Sequence, residues 1–210
     1  GIDLARRHAL GIDSYDRYCG HTCSLVAVDV QATERAFESL FASSELRKRM
    51  GESGQRRARA VFDWVAIIPQ YEALWDELRK MRSSMASLLK PLAQPWPARM
   101  DPFHTFSSYA TVTLTTETWL ALEASDWLNT EHRISAYRNL AMVNFAEPVL
   151  PPPSEVRALL NAASRGPQLA SELADSLTID RRPTALTSLA WLVKLGALKV
   201  VPPGTRSTLS

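Results

Sequence analysis

The segment Cys19-Gly20-His21-Thr22-Cys23 gathers two thiols and an imidazole within one short stretch. Thiolates and imidazoles are ordinary zinc ligands, so the first chemistry this sequence offers is metal binding. A structural zinc site needs four ligands, and the other histidines (His8, His104 and His132) stand in no paired spacing that would complete one. The C-x3-C spacing followed by Ser24 also fails the haem-attachment pattern. The segment therefore reads as a polar loop leading into a strand, with Cys23 packed as a small hydrophobe. No residue is assigned to a metal. No Ser/His/Asp or Cys/His arrangement has the spacing of a nucleophile with its base, so no catalytic residue is assigned either. The histidines read as surface or packing residues.

Positive charge is the second feature with chemical potential. Arg47, Lys48, Arg49, Arg56, Arg57 and Arg59 crowd into one predicted helix. The net charge of the chain is only +2, too mild to imply a polyanion partner. Glu45, Glu52, Asp76 and Glu77 dilute the cluster further. A solvated face carrying long aliphatic stems is the favoured reading. Anionic lipid and nucleic acid are the partners such a patch could otherwise touch, through peripheral contact in the case of a membrane.

These residues need elements to position them. Residues 1–23 read as loop with about one helical turn, and Leu25-Val26-Ala27-Val28 as a short buried strand. Ala32, Ala36, Phe37, Leu40 and Phe41 fall on one helical stripe. Ser43-Ser44 ends that helix, and Ser44 is placed to cap the basic one, whose first turn carries Glu45. Gly51 and Gly54 are expected to interrupt it. Asp63 is a natural N-cap for the next helix, where Trp64, Ile67, Ile68, Tyr71, Leu74, Trp75, Leu78 and Met81 recur at helical spacing. Pro69 lies inside that stripe and predicts a kink.

Pro91, Pro95, Pro97 and Pro102 mark a linker over 91–102. The Thr-rich 103–122 stretch, including Thr111-Val112-Thr113-Leu114, suggests one or two short strands. Pro148, Pro151, Pro152 and Pro153 form a second break. Helices are then expected at Ser154–Ala163, Leu169–Leu177 and Pro183–Leu195, the last opened by proline and closed by Gly196. A strand follows at Leu198–Val201, and 202–210 is read as a disordered tail.

Three pieces in the first part of the chain stand in a characteristic order. They are Leu46-Arg47-Lys48-Arg49-Met50-Gly51-Glu52-Ser53-Gly54-Gln55-Arg56-Arg57-Ala58, then Phe62-Asp63-Trp64, then Tyr71-Glu72-Ala73-Leu74-Trp75. With the Cys23–Val30 run before them, they resemble the end of family-4 retaining glycosyltransferases of the GT-B fold. Gln55 departs from the pattern, which has a basic residue there. The resemblance covers roughly the first 40% of the chain. It implies two facing Rossmann-like halves, with the last helix kinking back toward the N-terminal half. It also implies a sugar-nucleotide donor, retention at the anomeric carbon and no metal. The family's E-x7-E pair and its glycine-rich and basic diphosphate contacts belong upstream of the last strand. Glu123 and Glu131 have that spacing but lie beyond the terminal helix, without a glycine-rich neighbourhood, and read as coincidence.

Residues 154–201 resemble a winged helix, three helices followed by a strand. The third helix offers Thr184, Thr187, Ser188 and Lys194 with Arg181 and Arg182 before it. One lysine is poor equipment for phosphate neutralisation, so a structural or protein-docking role is favoured over DNA reading.

Composition fits this organisation. The 210 residues are 46% hydrophobic and 22% charged, enough for a core. Two cysteines point to a reducing, cytoplasmic compartment. No run approaches a membrane span, and Gly1-Ile2-Asp3-Leu4-Ala5-Arg6-Arg7 has no signal-peptide core. The start at Gly1 rather than Met suits a segment of a longer chain.

The expected architecture is therefore α/β. Residues 1–90 form the mostly helical terminal part of a GT-B Rossmann-like domain. Residues 103–201 form a small α+β module with the winged-helix-like unit at 154–201. The expected function is the C-terminal portion of a glycosyltransferase, inactive alone, with no cofactor and no assignable cofactor-binding residue. The nucleotide-sugar donor is a partner only in the full-length parent, and a protein partner would dock at the winged-helix-like unit. The rival reading is a freestanding winged-helix protein-interaction or regulatory module, a DNA-binding regulator included.

Overall fold

The computed structural model describes residues 1–85, 88 and 99–202. Most of the linker expected at 91–102, and all but Pro202 of the tail, lie outside the described residues. The described chain is mostly helical with one small antiparallel sheet, and it separates into two compact units. One unit joins Gly1–Val28 to the chain from Ala98 onward, and the other is Asp29–Pro97. Residues 1–28 thus pack with the C-terminal module, not with the helices that follow them, a grouping that proline positions could not reveal.

The first unit begins with α1 (Ile2–Ala9) and α2 (Tyr15–Cys23), where a loop with one helical turn was expected. Gly11, at φ +71°, turns the chain between them. Ser14 then caps α2 by accepting from Arg17 N at 3.3 Å. Leu25–Val28 is not a buried strand. It carries no regular structure, and Val26 and Val28 are exposed. β-branched residues favour a strand only where a sheet edge supplies hydrogen bonds, and no such edge meets this run among the described residues.

Within 103–122 the Thr-rich expectation is half met. Asp101 accepts from His104 N at 2.9 Å and Pro102 takes the first helical position, so α6 (Pro102–Thr105) forms instead of a strand. Thr111–Leu114 stays irregular. The strand is β1 (Trp119–Leu122). Two helices absent from the sequence reading follow, α7 (Trp127–Tyr137) and α8 (Ala141–Asn144).

The helix expected at Ser154 is α9 (Pro153–Ala163), packing Val156, Leu159, Leu160 and Ala163 inward at helical spacing. Strand β2 (Gln168–Leu169) leads into α10 (Ala170–Ala174), shorter than the expected 169–177. A 3-10 turn at Arg182–Thr184 precedes α11 (Ala185–Lys194), and Gly196 at φ +64° ends it as expected. Strand β3 (Leu198–Val200) closes the sheet.

Strand order is β2-β1-β3, both pairs antiparallel, with Trp119 opposite Leu169 and Leu120 opposite Val200. The central strand therefore comes from upstream of the three helices. Leu120, Ile134, Leu159, Leu160, Leu173, Leu189 and Leu192 fill one core beneath it. Each such side chain contributes roughly 1.5–3 kcal/mol when fully buried.

The second unit is built differently. It holds α3 (Val30–Ala42), α4 (Ser44–Arg57), a π-helical turn at Ala58–Phe62 and α5 (Trp64–Met85). Asp29 caps α3 through Ala32 N at 2.8 Å. Ser43, not Ser44, caps α4, through Leu46 N at 3.1 Å. Arg47 of α4 reaches back to the carbonyls of Leu40 and Phe41 at 2.6 and 3.0 Å, closing the C-terminus of α3. Helix α4 runs unbroken through Gly51 and Gly54. Asp63 accepts from Val65 N at 3.1 Å, as its capping role predicts, and α5 continues through Pro69. No residue of these four elements that the structure describes is buried.

Candidate functional site

Among the described residues the buried carboxylates are Asp13, Glu131 and Glu155, and the first of them belongs to the α1–α2 pair. The turn at Gly11 and the cap at Ser14 fix Asp13 between the two helices, with its side chain 2% exposed. Arg7 of α1 donates to it twice, Nε to Oδ2 at 2.7 Å and Nη2 to Oδ1 at 3.2 Å. His21 of α2 brings Nδ1 within 3.4 Å of the same Oδ2, fully buried and without an aligned hydrogen bond. The Arg7 guanidinium holds the Asp13 carboxyl below the usual carboxylate range, outweighing the burial that pushes it up. The His8 ring stacks on Tyr18 at 5.1 Å.

An aspartate beside a histidine invites a catalytic reading, which needs a nucleophile at the imidazole. None is in place among the described residues. Ser24 Oγ donates to the His21 carbonyl at 2.6 Å, and its hydroxyl is thereby engaged with the backbone. Cys19 and Cys23 stand two residues either side of His21, which on an α-helix turns them well away from its face. The cluster therefore ties α1 to α2.

A second joint links this pair to α6. Tyr18 OH donates to Asp101 Oδ2 at 2.5 Å. Burial first, and then Asp101, hold the Tyr18 phenol well above the ordinary tyrosine range. The Tyr18 hydroxyl in turn is the leading cause that lowers the Asp101 carboxyl.

The predicted site residues are scattered. Cys23 is exposed and free, not packed as a small hydrophobe, because α2 turns its side chain outward. Cys19 is free and half-buried. No cluster with metal-ligating composition occurs among the described residues. Of the eight-residue glutamate pair, Glu123 meets Lys199 Nζ at 3.6 Å and Glu131 meets Arg157 Nε at 2.9 Å. The two glutamates serve different ion pairs, one across the sheet and one between α7 and α9. The basic residues of α4 spread around the helix, and Arg57 lies over the Phe62 ring at 6.0 Å.

Helix α11 presents little surface. Ala185, Ser188, Leu189, Trp191 and Leu192 are buried, and Lys194 alone is exposed along its length. Lys194 Nζ donates to Val26 O at 2.7 Å. Glu155 of α9 accepts from Arg181 Nε at 2.7 Å and from the Ser188 hydroxyl, so the polar positions near α11 are committed internally. Sequence reasoning missed both this network and the Asp13 cluster, since each joins residues from separate elements. The one available signal was Asp13-Ser14 ahead of an aromatic run, which is also a helix-capping pattern.

A cleft of about 220 Å³ opens where the ends of α2, α8 and α11 meet. Trp191 is buried in its wall, while Met142 and Phe145 stand exposed at its rim. No helix among the described residues is long and apolar enough to cross a membrane. No protein family, no curated protein and no solved structure matches this chain.

Proposed function

We propose that the segment from Cys23 to about Leu78 is the closing strand-and-helix end of a retaining GT-B glycosyltransferase. The parent enzyme moves a sugar from a nucleotide donor to an acceptor. This chain lacks the E-x7-E region and is inactive alone. The observation that carries the reading is the uncovered apolar stripe of α5. Trp64 is 72% exposed and Trp75 63%, and Tyr71, Leu74, Leu78 and Met81 are exposed with them. A helix with so wide an apolar face is built to be covered. In the GT-B arrangement the covering surface is the N-terminal half, toward which this helix returns. The unpaired Leu25–Val28 run supports the same reading, being a strand sequence without its sheet.

The unit containing α9, α10 and α11 is proposed as a winged-helix-like element with a structural or protein-docking role. Helix α11 is covered on most sides and carries one exposed cation, which suits that role better than DNA reading. Peripheral attachment of the parent at a membrane through α4 belongs to the same proposal.

The test is the intact mass of the protein captured from its source with an antibody against residues 154–201. A mass larger by roughly 150 to 400 residues, one Rossmann-like half or more, supports the reading. A mass near 23.4 kDa overturns it and favours the freestanding module. In a sugar-transfer assay the purified chain is expected to give no turnover.

A further inference from the structure

We propose that the cleft between α2, α8 and α11 is a binding site for a small aromatic carboxylate. Its volume of about 220 Å³ suits one ring with a short substituent, since a cavity of roughly 150 Å³ accepts benzene. Trp191, Phe145, Met142, Val143 and Leu195 supply the apolar wall. Aromatic edges and a thioether favour a flat ring over a branched aliphatic.

Charge selects the head group. Lys194 lines the cleft, and no carboxylate does. Its ammonium gives one hydrogen to Val26 O at 2.7 Å, leaving two for a ligand. Carbonyls near the ends of α2 and α11 already accept backbone hydrogen bonds from the chain beyond. Ser24 N, Leu25 N and Val26 N bond the carbonyls of His21, Thr22 and Cys23, while Leu195 N, Gly196 N and Ala197 N bond those of Trp191, Val193 and Leu192. Lys194 is the one charged residue of the lining, so an anionic group bound beside the ring is its complement.

The wall is held in place from behind. Phe145 stacks on the His21 ring at 6.4 Å and passes close to Gly20, where an added Cβ would lie 3.2 Å from the phenyl edge.

The experiment is a titration of the whole chain, labelled with ¹³C-methyl methionine, with benzoate and with benzyl alcohol. Met142 reports the cleft; Met50, Met81, Met85 and Met100 report elsewhere, with Met81 on the exposed stripe. Benzoate is expected to shift Met142 saturably while Met81 stays still, and to bind about tenfold more tightly than benzyl alcohol. Lys194→Met should erase that difference, leaving the alcohol's affinity unchanged. Val143→Trp, which fills the cleft, should abolish both. Parallel shifts at Met81, equal affinity of the two probes for the unaltered chain, or no saturable shift at Met142 would each overturn the proposal.

Discussion

Tyr18 and Asp101 stand 83 residues apart in sequence and are joined by a 2.5 Å hydrogen bond. That bond fastens the N-terminal helix pair to the start of the C-terminal module. Tyr18→Phe removes it while keeping the buried ring. The expected loss is about 1.5 kcal/mol, the lower end for a hydrogen bond to a charged acceptor, because Asp101 is open to water. Chemical denaturation followed by near-ultraviolet circular dichroism measures it, and an unchanged midpoint would refute it.

The same joint and the Asp13 cluster set a dependence on acid. Both carboxyls titrate below their usual value in the folded chain, Asp13 through Arg7 and Asp101 through Tyr18. A lowered folded value means stability that is complete above the ordinary carboxylate range and lost as pH falls through the folded one. The α1–α2 pair is therefore expected to loosen below about pH 4. Amide exchange at residues 1–28, measured from pH 6 down to pH 3, reads this directly. Asp13→Asn should flatten the dependence and cost about 2 kcal/mol at neutral pH, because Arg7 loses its partner.

Helices α3 to α5 bury nothing among the described residues, whereas α9 and α11 surround a full core. Most helical stability in proteins comes from packing an amphipathic face against other elements. Hydrogen exchange should find amides of α5 protected at least roughly a hundredfold less than those of Leu159, Leu160, Leu189 and Leu192. Equal protection would mean that the stripe is covered in solution. Trp75→Glu together with Leu78→Glu should leave the C-terminal module's stability unchanged and suppress any self-association seen by sedimentation.

Glu155 is buried and satisfies both Arg181 and Ser188. Glu155→Ala leaves the Ser188 hydroxyl only its 3.5 Å contact with Thr184 O and frees the guanidinium, and a loss of about 3 kcal/mol is expected. Ser188→Ala keeps the ion pair and should cost about 1 kcal/mol. A pair of equal losses in thermal unfolding would show that the carboxylate matters only through Ser188.

Gly196 adopts φ +64° at the end of α11. A Cβ there meets no atom, so Gly196→Ala tests backbone conformation alone, with an expected cost of about 1 kcal/mol. An unchanged unfolding midpoint would show that the turn relaxes.

The sequence by itself determined the helices whose apolar residues recur at helical spacing and whose ends carry their own signals. Asp63 before the Trp64 stripe, Gly196 after α11 and the Val156–Ala163 stripe of α9 were legible because the information sits within a few residues. It also located the third helix and the strand after it. Tertiary structure alone decided the rest. Leu25–Val28 has the residues of a strand, yet a strand exists only where another backbone pairs with it. The polar stretch before it folds into α1 and α2 because Asp13 finds Arg7 and His21, a meeting that no local pattern encodes. Glu123 and Glu131 keep a suggestive spacing but point into separate ion pairs, since spacing along a chain fixes relative position only within one element. The cleft beside Lys194 arises where three helix ends from distant parts of the sequence converge. Its shape follows from how those ends pack, which residue order alone does not specify.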